Sequence, residues 1–98
     1  MYINIINSYR YIIAICDSDL LGKRFEEGNL QLDVKENFFK GEEKSAEEII
    51  NICKDMKKED ATFNIMGKES CDTAKKAGII KEENIGEIGG IPYALILL

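Results

Sequence analysis

The chain has 98 residues, 45% hydrophobic and 32% charged, with a net charge of −5; that is apolar enough to fold and too short for more than one core. The acidic balance opposes the broad basic surface used in counterion-release binding to nucleic acid, although a local basic element would survive it. No His and no Trp occur, which excludes Ser-His-Asp and Cys-His nucleophile systems, His-ligated zinc and His acid–base catalysis together. An enzyme made from this chain would have to work with carboxylates, Lys, Tyr or Cys. Met1-Tyr2-Ile3-Asn4 lacks the basic start of a signal peptide, and no apolar run is long enough to span a bilayer, so a cytoplasmic protein without membrane association is expected. Cys16, Cys53 and Cys71 are odd in number and widely spaced, as buried reduced thiols would be.

In chain order, Met1 to Ile6 and Tyr11 to Cys16 are β-branched apolar runs separated by Asn7-Ser8-Tyr9-Arg10, which predicts a hairpin or one interrupted strand. The second run is apolar on both faces and is the expected central strand. Asp17-Ser18-Asp19 ends it with turn chemistry. Leu21 to Glu26 then leads through Gly28-Asn29 into Leu30-Gln31-Leu32-Asp33-Val34, where alternation turns Leu30, Leu32 and Val34 inward. Lys35 to Lys44 reads as a loop whose Phe38 and Phe39 fold back onto the core. Ser45-Ala46-Glu47-Glu48 is a capping box, followed by an apolar stripe of Ala46, Ile49, Ile50, Cys53 and Met56. Ala61 to Met66 is a short strand, Lys68 to Ala77 a second helix, and Gly78 with Ile79 its Schellman stop. Ile85 and Ile88 flank a glycine-rich turn of Gly86 and Gly89-Gly90, and Pro92 opens a final strand to Leu98. That apolar strand must be buried or paired, since an exposed one is an aggregation edge.

The strongest local chemical signal is Asn64-Ile65-Met66-Gly67-Lys68-Glu69-Ser70, a strand entering a helix whose first amides, with Lys68 and the Ser70 hydroxyl, could hold an anion. The leading glycine of a phosphate-binding loop is missing and Glu69 opposes phosphate, so an ordinary β-to-α junction in which Gly67 relieves a backbone constraint is the favoured reading of the segment. The glycines at 86 to 90 lead into a strand, the reverse of a dinucleotide fingerprint. Asp17, Asp19 and Asp33 are turn-forming acids whose spacing is no metal loop. Lys23, Arg24 and Phe25 are the one compact basic–aromatic element and could meet a phosphate or an acidic partner.

Several of these pieces occur together: Ala14-Ile15-Cys16-Asp17, Leu20-Leu21-Gly22-Lys23, Phe25-Glu26-Glu27-Gly28, Leu32-Asp33-Val34, Asn64-Ile65-Met66-Gly67, Ala77-Gly78-Ile79-Ile80 and Ile88-Gly89-Gly90-Ile91-Pro92. In this the chain resembles the small archaeal proteins of domain-of-unknown-function family 424 over nearly its whole length. The resemblance implies a two-layer α+β fold and no established activity. It also implies a His after the Gly-x-Pro element in many members, where this chain has Tyr93, which favours a binding or packing role at that position.

The expectation is a single α+β domain over residues 1–98, a two-layer sandwich of a small mixed or antiparallel sheet covered by about two helices. Its expected role is a non-enzymatic binding module, with no metal or cofactor, for a protein or RNA partner, with a link to translation suggested by the resemblance. The candidate contacts are Lys23, Arg24, Phe25, Asn64, Gly67, Lys68, Ser70 and Tyr93. The alternatives are a small enzyme or ligand-binding domain with an anion at Gly67–Ser70, and a homodimer joined through the apolar terminal strand.

Overall fold

Tyr11–Cys16, the run with no polar face, forms strand β2 and pairs in parallel with β6, Thr62–Met66. A parallel pair needs cover on both faces and a long crossover to join its strands. The intervening chain supplies both. The computed structural model describes residues 1–97. In it β1 (Tyr2–Asn7) folds back antiparallel on β2, and β5 (Glu42–Glu43) pairs with β1. On the other side β8 (Ile91–Leu97) runs antiparallel to β6, and β7 (Gly86–Ile88) completes a mixed six-stranded sheet in the order β5-β1-β2-β6-β8-β7. The fold is therefore α+β, as expected.

Two helices cover one face. α2, Ala46–Met56, begins at the predicted capping box: the Ser45 hydroxyl accepts from the Glu48 amide at 3.2 Å, and the Ser45 amide donates to the Glu48 carboxylate at 3.1 Å. Its Ile49 and Cys53 are fully buried against Ile13, Ile15, Phe63 and Ile65. Burying one side chain the size of Phe63 is worth about 1.5–3 kcal/mol, roughly what the cap and a helix-surface ion pair supply together. α3, Lys68–Lys76, packs beside α2 and ends in the predicted Schellman turn. There Ile79 N–H reaches the Ala74 carbonyl and Gly78 N–H the Lys75 carbonyl, both at 3.0 Å, with Gly78 at φ 76° and Ile79 buried.

The opposite face carries a third group of elements. A small hairpin of β3 (Arg24–Glu27) and β4 (Leu30–Asp33), a 3-10 turn at Ser18–Leu20, and a one-turn helix α1 (Glu36–Phe39) enclose Ala14, Cys16, Leu20, Leu32, Val34, Phe39, Met66 and Ile88. Three sequence expectations are corrected here. Residues 36–39 are helical because Phe38 and Phe39 must both reach the core, and the Phe38 carbonyl is held by the Asn4 side-chain amide at 2.8 Å. Leu30 is 57% exposed at the hairpin tip, where it pairs with Glu27, while Leu32 and Val34 are buried. Gly86 is a strand residue opposite Tyr93, not part of the turn. The turn is Gly89-Gly90, both at positive φ, a two-residue loop that suits the twist of its strands.

All three thiols are buried, and burial pushes each up to about 11 from the ordinary 9.0, with Asp17 adding to the shift at Cys16 and Cys71. The native state thus keeps protons that the unfolded chain loses between pH 9 and 11, so stability falls as pH rises through that window. Ellman's reagent at pH 8 is expected to leave native protein unlabelled and to label all three thiols after denaturation. Urea midpoints should decline from pH 9 upward, and a triple Cys→Ser variant should lose the part of that decline that the thiols contribute.

Candidate functional site

The expected anion site is built as the sequence suggested, but the chain fills it itself. β2 and β6 end side by side, and the Asp17 amide extends their ladder by donating to the Met66 carbonyl at 3.0 Å. This sets the Asp17 carboxylate at the start of α3, where it accepts from the amides of Glu69 at 3.2 Å and Ser70 at 2.7 Å and from the buried Ser70 hydroxyl at 2.7 Å. A glycine at the N-cap has no side chain to offer, so the capping oxygens come from a residue fifty positions earlier in the chain. Gly67 stands at φ 110°, and a Cβ there would lie 2.3 Å from the Asp17 carboxyl carbon. The helix terminus is thus a structural latch, and an external anion would have to displace Asp17.

The other predicted residues are dispersed. Arg24 is exposed on the hairpin, with its guanidinium against Glu26 at 3.3 Å and hydrogen-bonded to Gln31. Lys23 is exposed and its backbone continues the hairpin ladder to Val34. Phe25 is half-buried, its Cβ 3.3 Å from where a Gly89 Cβ would sit, and the Gly89 amide donates to Glu27 at 3.0 Å. Phe25 thus helps fasten the hairpin to the Gly89-Gly90 turn. Tyr93 packs beneath the hairpin, with its ring 2.9 Å from where a Gly86 Cβ would sit. Lys68 belongs to the helical layer, lining an open cleft of about 510 Å³ with Cys71, Lys75, Glu82 and Pro92. Lys75 is paired there with Glu82 at 2.7 Å and Asp72 at 3.6 Å, so the cleft is of mixed charge. Asp17, Asp19 and Asp33 do not converge, and among the described residues no three His, Cys, Asp or Glu gather as metal ligands.

The feature that sequence reading missed lies on the hairpin side of the sheet. The strand register lays its side chains in three rows. Tyr2, Cys16, Met66 and Tyr93 form the first, covered by the hairpin and α1. Asn4, Ala14, Asn64 and Leu95 form the second, and Ile6, Ile12, Thr62 and Leu97 the third. Cover runs out across the second row. Leu95 and Leu97 are 58% and 68% exposed, and Ile6, Ile12, Thr62 and Asn64 are half-buried. The signal was present in the sequence, since Ile5-Ile6 and Ala94 to Leu97 are apolar at both parities, but it reads equally well as double-sided burial.

A family model for proteins of unknown function, DUF424, matches residues 6–98. The chain belongs to the DUF424 family. Among solved structures it is similar to an uncharacterized conserved protein from Methanopyrus kandleri, at 26% identity and a TM-score of 0.85 over 97% of this chain and 88% of that one. No curated protein matches it. The DUF424 match begins inside β1 and takes in β2, Asp17, the Gly67–Ser70 junction, the whole third row and, of the first two rows, all but Tyr2 and Asn4. Among the described residues no helix is long and apolar enough to cross a membrane.

Asp17→Ala is expected to strand the Glu69 and buried Ser70 donors and cost about 1–3 kcal/mol of unfolding free energy, read as a lower urea midpoint. Gly67→Ala should cost at least as much, since it meets both an unfavourable φ and the Asp17 carboxylate. Lys68→Ala on the same helix turn should change the midpoint little.

Proposed function

We propose that this DUF424 protein is a binding module and not an enzyme, and that it meets a protein partner with the bare half of its sheet. The observation that carries this reading is the incompletely covered face on which half-buried Ile6 and Ile12 on one side and exposed Leu95 and Leu97 on the other flank Thr62 and Asn64. Contiguous exposed apolar surface on a small protein is costly to keep unless something covers it. The two amide and hydroxyl side chains within it give a partner points of orientation, as the polar groups of an interface do.

The other readings draw less support. The thiols are buried and held protonated, which removes the obvious nucleophile. Asp17 occupies the helix-terminal amides an anionic ligand would need. The basic–aromatic element is spent internally, with Arg24 held by Glu26 and Gln31 and Phe25 packed against the Gly89-Gly90 turn. Of that element this leaves Lys23 to face an RNA phosphate, on a chain of net charge −5, and our reading therefore routes any link to RNA or the translation machinery through the protein partner.

Affinity capture on tagged protein, with and without ribonuclease, tests this directly. Wild type should retain a protein partner after ribonuclease treatment, Ile6→Lys and Leu95→Lys should lose it while keeping a native circular dichroism spectrum, and Lys23→Ala and Arg24→Ala should keep it. Capture that vanishes with ribonuclease, or with Arg24→Ala but not Ile6→Lys, would replace this reading with direct RNA binding.

A further inference from the structure

Sheet edges present unpaired amides and carbonyls, and proteins blunt them with brevity, charge or cover. Both outer edges are blunted in this way: β5 is two residues long and both are glutamates, while β7 is three residues long with Glu87 at its centre. A third stretch of edge is not. β7 pairs with β8 only from Ile91 to Tyr93, whereas β8 continues to Leu97. From Ala94 onward its outer side meets no strand among the described residues, and a neighbouring element that touches β8 is the short 3-10 turn Glu82–Asn84. The ladder decides which groups point that way. The Pro92 carbonyl accepts from the Gly67 amide at 2.8 Å on the β6 side, and direction alternates along an antiparallel strand. Leu95 and Leu97 therefore turn both N–H and C=O to the open side, and the same two residues have the exposed side chains.

We infer that this edge pairs with its equivalent in a second copy of the chain. β8 of each copy lies antiparallel to the other about a two-fold axis at Ile96, so that Leu95 of one exchanges N–H and C=O bonds with Leu97 of the other and the two sheets become one. Charge and symmetry select this occupant. No charged residue occurs from Ile91 to Leu98, so two copies of β8 can pair without like-charged side chains opposite each other within the ladder, the acids beside it being Glu82 and Glu83 of the adjoining turn. A strand paired with itself about a two-fold closes, and the two outward residues are each other's partners in that register. The overlap is short and buries less than the roughly 1,200–2,000 Å² of a stable interface, so the dimer is reversible and concentration-dependent. Pairing also sets the two bare faces side by side as one wider apolar surface.

Sedimentation equilibrium over a micromolar concentration series, with amide hydrogen exchange at its two ends, tests the inference on the whole chain. The mass should climb from 11.1 kDa toward twice that value. Exchange at Leu95 and Leu97 should slow as the dimer fills, while Ala94 and Ile96, whose backbones already face β6, should not change. Leu97→Pro removes an outward donor and leaves the β6 ladder intact, so it should sediment as a monomer with unchanged circular dichroism. Ile6→Lys, on the same face but away from the edge, should still dimerise. A monomer at every concentration without added protection at Leu95 and Leu97 overturns the inference and leaves the edge to another protein's strand. A dimer kept by Leu97→Pro or lost by Ile6→Lys overturns it too, by placing the contact elsewhere.

Discussion

The parallel ladder between β2 and β6 is the constraint from which the remaining architecture follows. Ile13, Ile15, Phe63 and Ile65 project to one side of it and Ala14, Cys16 and Met66 to the other, and all seven are buried. Parallel strands cannot be joined by a tight turn, so the chain must leave the sheet and return, and whatever it builds on the way has to shield both faces. α2 shields the first and the hairpin with α1 the second. β1 and β8 then flank the ladder antiparallel, β1 joined to β2 by the short turn at residues 8–10 and β8 reached from β6 through α3 and β7.

The same ladder explains Asp17. Because β2 and β6 run in the same direction and end together, the residue after Cys16 emerges beside the first turn of α3. A carboxylate there meets the positive end of the helix and two unsatisfied amides, and it also accepts the Ser70 hydroxyl. Gly67 is the complement of that contact, since any side chain at this position would occupy the carboxylate's place. Two residues that look separately like a turn acid and a phosphate-loop glycine are one latch between the central strands and α3.

Shielding of the second face is incomplete, and the surface we propose for binding arises from that shortfall. The hairpin is only four residues to a strand, and Leu30 at its tip is exposed. It is fastened over the first row by Phe25, Glu27 and Gly89, near Tyr93. The far ends of β1, β2, β6 and β8 lie outside its footprint. Ile6, Ile12, Leu95 and Leu97 are as apolar as the core, but they sit where the cover stops. β8 is exposed a second time because β7 ends at Tyr93, so face and edge coincide at Leu95 and Leu97.

Local chemistry in the sequence determined the elements whose reasons are local. The capping box at Ser45 and Glu48, the stripe through Ile49 and Cys53, and the Schellman stop at Gly78 and Ile79 each involve residues within one or two turns, so spacing alone specifies them. The family resemblance was legible for a similar cause, since its motifs are short contiguous runs. The candidate site was legible only in part. Gly67, Lys68 and Ser70 stand out as a strand-to-helix junction, but the oxygen that fills it comes from Asp17, and nothing near either residue announces the pairing. An apolar strand carries the same letters whether its second face is covered or bare, so the exposure of Leu95 and Leu97 depends on how far a hairpin from the other half of the chain reaches. Tertiary structure decided these two features because each is a distance between residues that sequence order keeps far apart.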